Sequence, residues 1–456
     1  MQKLFDEVAS LDAKCYKDFF LTEDILMEHA ANGMATHIRK NFQKNAKVLI
    51  VAGSGNNGAD GITLARLLHK DFHVSLLLAK QPKSEMAKLQ LKRAQALHVP
   101  IISTLDECDV LVEALIGTGF QGVFNEQLLQ LIEDMNHLDA YKIACDTPSP
   151  GFYADVTLTM GALKKSLFLD NKKDFVGAIE VLDLGLSRKL YETTSNWNLL
   201  DYDDLKLPNR VAKDSHKGTY GHLAVISGEK LGASVLCASA ALRFGAGLVS
   251  LISYEKEQFF NIPHALMCTH SLPKNATALA IGMGFGLEFS QDEIANFLDN
   301  KLSLVVDADL FYMDIILDIL KRKDIVLTPH PKEFIALLKL TNLADIDIDE
   351  LQNNRFKYAQ LFCEKYPHAT LLLKGANVII GQKDAFFINP HGSAKLAKGG
   401  SGDVLSGLIG ALLTQGYAPL KAAINASLAH TKLAQNYLGA DFSLTPDDLI
   451  NGIRNL

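Results

Sequence analysis

Two long stretches of this sequence alternate short apolar runs with segments whose apolar residues recur at helical spacing, and this alternation limits the fold more than any other feature. In the first stretch the apolar runs are residues 47–52, 73–79, 110–114 and 142–145, and the helical patterns are residues 22–41, 59–70, 84–97 and 125–136. Strands that alternate with helices form a parallel sheet covered by helices on both faces. The first half is therefore predicted to be a three-layer α/β/α domain.

The pattern breaks over residues 185–217, a polar and irregular segment that contains Pro208, and then begins again. Further strands are predicted at residues 222–226, 248–252, 278–281, 304–307, 325–327, 370–374 and 378–380, with helices at 232–245, 402–414 and 419–438. A chain of 456 residues is too long for one ordinary core. Two α/β domains are therefore predicted, residues 1–204 and residues 205–456.

Charge and cysteine content exclude several classes of protein. The net charge is −7 and no basic block occurs, which argues against a nucleic-acid partner. The six cysteines are scattered without a CxxC pair, as expected of reduced thiols in the cytoplasm. The first residues, MQKLFDEVASLDAK, lack the apolar core of a signal peptide, and no apolar run is long enough to span a membrane. We expect a cytoplasmic protein with no membrane partner.

The glycine-rich segment GSGNNGADG, residues 53–61, follows a predicted buried strand and precedes a helix. Glycines there allow backbone N–H groups to approach a phosphate at the positive end of the helix. Gly53, Gly55 and Gly58 match the dinucleotide pattern GxGxxG, but the acidic residue that should end the second strand is absent, because Lys80 stands there. A tight strand–helix turn without a ligand is the alternative.

Two more polar segments end strands of the same predicted sheet, EALIGTG at residues 113–119 and DTPS at residues 146–149. Ligands of an open parallel sheet bind at the carboxyl ends of its strands. Each segment alone is explained by an ordinary turn. Together the three segments predict one crevice that binds a ligand.

These segments, GSGNNGADG, EALIGTG and DTPSPG, resemble the signatures of NAD(P)HX epimerases, the N-terminal domain of bifunctional enzymes that repair hydrated NADH and NADPH. The resemblance implies a Rossmann-like sheet, Asp146 as the acid/base, and a potassium ion held by Asn57, Glu113 and Ser149. It implies that the substrate is bound by Asn56, Asn57, Gly58, Ala59, Asp60, Gly117, Thr118, Gly119, Phe120, Gln121, Gly122, Val123 and Asp146. The chain departs from the family where Ala59 replaces glycine, Glu113 replaces aspartate and Pro150 is an extra residue.

The second half contains the loop KGGSGD, residues 398–403, which leads into an apolar helix. Successive N–H groups from Gly399 to Gly402 form an anion-binding concavity at the start of that helix. The alternative is that Asp403 is a simple helix cap. Three glycines before a cap cost conformational entropy on folding, and a ligand that approaches the backbone closely accounts for them better. No Walker motif occurs. The arrangement resembles the ribokinase-like superfamily, in which such an aspartate removes a proton from a substrate hydroxyl.

Other segments of this half follow in order, namely HKGTYGH, GA at residues 232–233, AALRFGAGLV, GMGFG, TPHPKE and LKGANV. Together they closely resemble the ADP- or ATP-dependent NAD(P)H-hydrate dehydratases. The resemblance implies substrate contacts from Ala233, Gly286, His330 and Asp403, with Mg²⁺ accompanying the nucleotide. It implies nucleotide contacts from Lys374, Gly375, Ala376, Asn377, Val378 and Gly402. Met283 and Lys332 depart from the family, which has proline and glycine there.

The resemblance implies that the first domain interconverts the R and S forms of hydrated NADH or NADPH and that the second dehydrates the S form. It also implies a homo-oligomer, with a tetramer as one candidate. Two alternative functions stay open at this point. The second half also fits a small-molecule kinase, and the first half also fits a non-catalytic dinucleotide-binding module. The nucleotide is open as well, because ADP is chosen over ATP only by analogy with bacterial chains of this kind.

Overall fold

The computed structural model describes residues 1–117, 125–253, 262–286 and 291–456. The chain forms two compact units, one of residues Lys3–Ser195 and one of residues Asn196–Leu456 together with Met1 and Gln2. The boundary predicted near residue 204 falls inside the second unit. Among the described residues, none of the helices is both long and apolar enough to cross a membrane.

The N-terminal unit alternates strands and helices. Its strands are β1 Gln2–Phe5, β2 Lys47–Ala52, β3 His73–Leu78, β4 Ile101–Ile102, β5 Val110–Ala114, β6 Tyr141–Cys145, β7 Val156–Met160, β8 Leu163–Lys164 and β9 Ala178–Leu182. Its helices are α1 Ala9–Phe19, α2 Glu23–Asn41, α3 Asn56–Leu68, α4 Glu85–Ala96, α5 Glu126–His137, α6 Lys173–Val176 and α7 Arg188–Tyr191. The predicted helix at 59–70 was wrong at its start, because α3 begins at Asn56 directly after its cap residue Gly55.

The main sheet of this unit is entirely parallel, with the strand order β4-β3-β2-β5-β6-β7-β9. The register aligns the carboxyl ends of neighbouring strands, since Ala52 of β2 lies beside both Leu78 of β3 and Ala114 of β5. Glu113 of β5 in turn lies beside Ala144 of β6. The three polar segments that follow β2, β5 and β6 therefore leave the sheet at one edge.

Helices cover both faces of this sheet. Val48, Ile50 and Ala52 of β2 belong to a core cluster shared with α2 and α3, whereas Leu49 and Val51 belong to a second cluster shared with α5. Alternate residues of a strand point to opposite faces, so the two clusters lie on opposite sides of the sheet. The predicted three-layer α/β/α arrangement with a Rossmann-like sheet is confirmed.

The C-terminal unit has a larger, mixed sheet. Its strands are β10 Trp197–Leu199, β11 His222–Ile226, β12 Leu248–Ile252, β13 Met267–Thr269, β14 Ala278–Ile281, β15 Ser303–Val306, β16 Ile325–Leu327, β17 Ala369–Leu373, β18 Val378–Gln382 and β19 Ala385–Asn389. Its helices are α8 Leu231–Arg243, α9 Gln291–Leu298, α10 Ile316–Ile319, α11 Pro331–Leu340, α12 Ile348–Asn353, α13 Arg355–Lys365, α14 Ser401–Thr414, α15 Pro419–Asn436 and α16 Pro446–Gly452.

Within this unit the strands run in the order β13-β12-β11-β14-β15-β16-β17-β18-β19-β10. The strands from β13 to β17 are parallel to one another, and β18 is antiparallel to both of its neighbours. The last residues of the central strands are aligned, because Val306 of β15 lies between Ile281 of β14 and Leu327 of β16. The residues that follow these strands therefore share one edge.

Helices α8, α14 and α15 pack on one face of this sheet, where Val305, Val326 and Leu372 belong to their core cluster. The alternate residues Leu304 and Val306 point to the other face and are equally buried. Both faces are therefore covered, and the three-layer α/β/α arrangement predicted for the second half is confirmed.

Candidate active sites

A pocket of about 530 Å³ lies at the carboxyl ends of β2, β5 and β6, and helices α1 and α2 contribute to its wall. The predicted substrate-binding residues that line it are Asn56, Asn57, Asp60, Gly117 and Asp146. Three polar loops do converge on one crevice, as their positions at the strand ends predict. Thr118, Gly119, Phe120, Gln121, Gly122 and Val123 lie outside the described residues.

The glycine-rich loop brings the backbone of α3 close to β2. A Cβ atom added at Gly58 would lie 2.1 Å from the carbonyl oxygen of Gly53, so only glycine fits there. The helix starts at Asn56, which places the first N–H groups of α3 at the pocket. The side chain of Ala59 points elsewhere, since it is fully buried against Met27 and Ala87.

Asp146 follows β6 in a strained backbone conformation with φ +67°. The N–H of Thr147 donates to the carbonyl oxygen of Cys145 at 2.9 Å, which closes a tight turn around Asp146. Left-handed non-glycine residues of this kind concentrate at functional sites. The turn directs the Asp146 side chain back over the strand ends, where it lines the pocket.

One oxygen of the Asp146 carboxylate is held by three donors. Oδ1 accepts hydrogen bonds from the Lys164 ammonium, from the N–H of Met160 at 3.0 Å and from the hydroxyl of Thr159 at 3.3 Å. Lys164 is fully buried and also donates to Thr159 Oγ1 at 2.8 Å. The sequence analysis missed Lys164, although a lysine inside the apolar run LTMGALKKSLF is a signal that could have identified it.

Two further aspartates face this pocket. Burial, with the charges of Asp146 and Asp12 nearby, raises the pKa of Asp60 well above its ordinary value. Burial likewise raises the pKa of Asp12, on α1, to about 6. Asp60 is partly open to the pocket although its carboxyl lies in a dry environment. The pocket therefore contains two carboxyl groups whose burial favours the protonated form, as a general acid requires.

Glu113, Ser149 and Asn57 form a second cluster at the same strand ends. Oε1 of Glu113 accepts from Ser149 Oγ at 2.7 Å and from the N–H of Leu115 at 2.8 Å, and Oε2 accepts from the N–H of Ser149 at 3.0 Å. Burial raises the pKa of Glu113 to about 7, and the bonds from Ser149 oppose that rise. All three side chains are buried.

The amide of Asn57 is only half satisfied. Its Nδ2 donates to the carbonyl oxygen of Ile116 at 2.8 Å, whereas the buried Oδ1 has no hydrogen-bond partner among the described residues. A buried oxygen without a donor is costly unless it meets a cation or a ligand. The ligands that the resemblance implies for potassium therefore suit a hard cation. Glu113 contributes a carboxyl group, and Asn57 contributes an oxygen that lacks a hydrogen-bond donor.

In the C-terminal unit, the loop at residues 398–403 leads into α14 through Gly400, whose φ is +90°. Asp403 lies in the first turn of α14 and is partly buried. Burial raises its pKa to about 6, and the nearby charge of Asp307 adds to the rise while Lys374 opposes it. An aspartate with this pKa is largely ionised at neutral pH and can still accept a proton, as a general base must.

Lys374 connects this loop to the ends of the central strands. Its ammonium lies 2.6 Å from Oδ1 of the buried Asp307, and the hydroxyl of Ser406 donates to Oδ2 at 2.8 Å. A Cβ atom added at Gly402 would lie 3.2 Å from the Lys374 ammonium, so the lysine reaches the start of α14. Gly375, Ala376 and Asn377 form the adjoining turn before Val378 begins β18. Asp307 was not predicted as a site residue, although it ends a predicted strand just as Asp146 does.

His330 is the cap residue of α11 and forms a reciprocal pair with Glu333. The N–H of His330 donates to Glu333 Oε2 at 2.7 Å, and the N–H of Glu333 donates to His330 Nδ1 at 3.2 Å. Burial lowers the pKa of His330 and raises that of Glu333 to about 7. About half of the His330 side chain remains exposed, and its Nε2 lies 3.1 Å from Oε1 of Glu333.

The remaining predicted contacts of the dehydratase site surround a glycine turn after β14. A Cβ atom added at Gly284 would lie 2.8 Å from the Cβ of Ala233, so the first turn of α8 packs directly on this loop. Gly286 has φ +81°, and its N–H donates to Asp309 Oδ2 at 2.8 Å. Ala233 and Gly286 therefore lie on the same side of the strand ends.

His430 is a further buried histidine that the sequence analysis did not single out. It lies on α15, and its Nε2 is 3.2 Å from the hydroxyl of Ser401 in the anion-binding loop. Burial lowers its pKa to about 4, so the ring is neutral and its hydrogen bond fixes the loop without adding charge.

The fold and the two sites define an α/β enzyme with two separate active sites, each at the carboxyl ends of parallel strands. The family described as NAD(P)H-hydrate dehydratase matches residues 223–455, and the family described as the YjeF-related protein N-terminus matches residues 23–166. These matches cover the predicted site residues of both units that the structure describes.

Whole-chain relatives carry both parts. The bifunctional NAD(P)H-hydrate repair enzyme Nnr of Helicobacter pylori is 42% identical and covers 100% of both chains. The protein of the same name from Coxiella burnetii is 31% identical and covers 96% of this chain and 95% of its own. A solved structure of an ADP/ATP-dependent NAD(P)H-hydrate dehydratase from Bacillus subtilis is 26% identical, covers 55% of this chain and 92% of its own, and has a TM-score of 0.47. The chain belongs to the family of bifunctional NAD(P)H-hydrate repair enzymes, and the family predicted from the motifs is confirmed.

Proposed function

We propose that this protein repairs hydrated NADH and NADPH with two activities. The N-terminal domain, to about residue 204, epimerises the R and S forms, and the C-terminal domain dehydrates the S form at the expense of ADP or ATP. The observation that carries the proposal is Asp403, a carboxyl group with a pKa raised to about 6 beside an anion-binding glycine loop. Relatives that are similar along the whole chain and named for this repair support it.

In the proposed dehydratase reaction, Asp403 removes the proton of the hydroxyl group on the hydrated ring. The terminal phosphoryl group of the nucleotide is transferred to that oxygen, and the N–H groups at the start of α14 stabilise its charge. Phosphate then leaves with the oxygen, the neighbouring ring carbon loses a proton, and the ring double bond forms again. The products are NADH or NADPH, phosphate, and AMP or ADP.

The proposed ligands divide between the two substrates of this site. Ala233, Gly286, His330 and Asp403 contact the hydrated nucleotide, and residues 374–378 with Gly402 hold the adenine nucleotide. No group of three His, Cys, Asp or Glu side chains among the described residues is placed to hold a metal ion. Mg²⁺ is therefore proposed to enter with the nucleotide phosphates, as in the B. subtilis protein crystallised with ATP and Mg²⁺.

For the epimerase, Asp146 is proposed as the residue that exchanges a proton with the substrate hydroxyl. Asn57, Glu113 and Ser149 would hold K⁺, and the unpaired Oδ1 of Asn57 supports this assignment. The ion would supply a fixed positive charge at the strand ends. We further propose ADP as the phosphoryl donor, a cytoplasmic location and a homo-oligomer, with neither a nucleic acid nor a membrane as partner.

The test compares substrates on the purified full chain. Separated R and S forms of hydrated NADPH are supplied with ADP or ATP, and recovery of reduced-nicotinamide absorbance is followed. We expect direct recovery from the S form and recovery from the R form through epimerisation. Failure with both nucleotides, together with phosphorylation of a small alcohol by ATP, would replace the repair function with that of a small-molecule kinase.

A further inference from the structure

Three aspartates line the N-terminal pocket, and one of them is bonded to the fully buried Lys164. Asp12 comes from α1, Asp60 from α3 and Asp146 from the turn after β6, and all three line the same cavity. Lys164 ends β8 and is fully buried. The Lys164 ammonium favours the charged form of the carboxyl to which it is bonded, whereas Lys80, which also lines the cavity, is exposed.

Lys164 is committed to Asp146. Its ammonium is bonded to Asp146 Oδ1 and to Thr159 Oγ1, and Oδ1 also accepts from the N–H of Met160. The other oxygen, Oδ2, accepts no hydrogen bond from the described residues. The carboxylate is therefore fixed in orientation by one oxygen and keeps the other available to a substrate or water in the pocket.

Asp60 lies in the opposite situation. Among the described residues it forms neither an ion pair nor a hydrogen bond, and its burial favours the uncharged form. The charged or titratable groups near it are Asp12 and Tyr16 from α1, Glu23 from α2, Cys145 from β6, Asp146, and Lys164, whose ammonium is already bonded to Asp146. Burial raises the pKa of Asp60 well above its ordinary value, and the neighbouring carboxyl charges add to the rise while Lys164 opposes it. This group is a carboxyl whose burial favours the protonated form, and unlike Asp146 it has no ion-pair partner among the described residues.

We propose that the pocket divides the two proton transfers of the epimerase between different residues. Asp146, bonded to Lys164, is the base, and Asp60, which has no cation partner of its own, is the acid. Lys164 is the positioning residue that creates the difference. The inference rests on the proposed epimerase function and adds to it a second catalytic residue.

The chemistry balances as follows. Asp60 donates its proton to the hydroxyl oxygen on the hydrated ring carbon, the carbon–oxygen bond breaks, and water leaves with the electron pair. The lone pair of the ring nitrogen forms a double bond to that carbon. Water then adds from the opposite face and gives its proton to Oδ2 of Asp146. One proton has moved from Asp60 to Asp146, and pocket water returns it between turnovers.

The experiment measures epimerisation of R to S hydrated NADPH by the full chain carrying Asp60→Asn. Asparagine resembles the uncharged acid in shape and can donate a hydrogen bond, but it cannot give up a proton. We expect kcat to fall by about 100-fold or more with KM nearly unchanged. Formate should partly restore the rate of Asp60→Ala, because it supplies a small proton donor in the vacated space. Asp71→Asn, an exposed carboxyl of the same unit, is the control and should match the unmodified protein.

Epimerisation by Asp60→Asn within about threefold of the unmodified rate would overturn the assignment, as would a large loss in Asp12→Asn with Asp60→Asn active. The dehydratase rate on the S form, measured on the same preparation, verifies folding. Absence of epimerisation by the unmodified protein would instead overturn the proposed function. A second variant, Lys164→Met, tests the positioning role. If the Lys164 ammonium stabilises the Asp146 carboxylate, its loss makes Asp146 easier to protonate, and the acidic limb of the rate–pH profile should move to higher pH. An unmoved limb contradicts the positioning role.

Discussion

The ammonium of Lys374 lies 2.6 Å from Oδ1 of Asp307, and this ion pair joins the ends of β17 and β15 across the intervening β16. Asp307 is only 2% exposed and its second oxygen is bonded to Ser406 of α14. The pair therefore fixes the lysine that is proposed to bind the nucleotide and ties it to the helix that carries Asp403.

Asp307→Asn should reduce both stability and nucleotide binding. Removing one charge of a buried pair leaves the other uncompensated and typically costs about 3–5 kcal/mol. We expect a lower free energy of unfolding and a raised KM for ADP, measured by denaturant titration and by dehydratase kinetics. Asp345→Asn is the matched control, because Asp345 and Lys339 form an exposed pair at 3.1 Å that should contribute little. Equal effects of the two substitutions would contradict the assigned role of Asp307.

Asp403→Asn should abolish dehydration and yet stabilise the fold. The pKa of Asp403 rises from 3.8 to about 6 on folding, so the folded state disfavours the ionised carboxylate. The resulting loss of stability develops as the pH rises from 3.8 to about 6. At neutral pH the uncharged asparagine avoids this loss, so the free energy of unfolding of Asp403→Asn should exceed that of the unmodified protein by about 1–3 kcal/mol. Thermal or denaturant unfolding at neutral pH, beside the dehydratase assay, measures both effects. A destabilised variant would indicate that Asp403 is a structural cap.

Dehydratase activity should fall as the pH is lowered through about 6, because protonated Asp403 cannot act as a base. Below that value kcat/KM is expected to decline by about tenfold per pH unit. Initial rates on purified S substrate across this range give the profile. A flat profile would mean that another group accepts the hydroxyl proton.

Much of the scaffold follows from the sequence, because buried parallel strands are continuous apolar runs bounded by polar turns. The strands at residues 47–52, 110–114, 222–226 and 248–252 were predicted with their observed bounds. The motifs also predicted Asp403 and Asp146 as catalytic residues, and Asp403 lies in the first turn of α14 while Asp146 lies in the turn after β6. The motifs indicate which residue follows a strand or begins a helix. They do not indicate which side chain lies beside that residue in the folded protein.

Lys164 and Asp307 show that the partner of a side chain could not be predicted from the sequence. Lys164 ends the short strand β8, and only tertiary packing brings its ammonium to Asp146. Asp307 could have been found by the strand-end rule, but its pairing with Lys374 depends on which strands are neighbours. The strand order of a sheet is set by long-range contacts and is not written in local periodicity.

Gly286→Ala should disrupt the loop that is proposed to contact the hydrated nucleotide. Gly286 has φ +81°, and an added Cβ atom would lie 2.0 Å from the carboxyl group of Glu229. The positive φ should cost an alanine about 1–3 kcal/mol and raise the KM for S-form substrate, whereas the Glu229 carboxyl group ends a flexible side chain and can move aside. Gly232→Ala is the control for stability, because its added Cβ meets no atom within 4 Å and α8 should gain slightly from alanine. Similar unfolding of both variants would refute the steric argument.

Glu113→Gln should weaken the response of the epimerase to potassium. Glu113 is the one acidic group among the three proposed ligands, and a neutral amide would leave the cation without a countercharge. We expect the half-activating K⁺ concentration to rise by about 10–100-fold. Glu113→Asp keeps the charge and should retain most of the response, and Glu126→Gln, an exposed residue of α5, serves as the control for loss of charge. Thermal unfolding with K⁺ or with a bulky organic cation provides a second readout, since only a bound ion raises the transition temperature. An unchanged K⁺ response in Glu113→Gln would remove Glu113 from the ligand set.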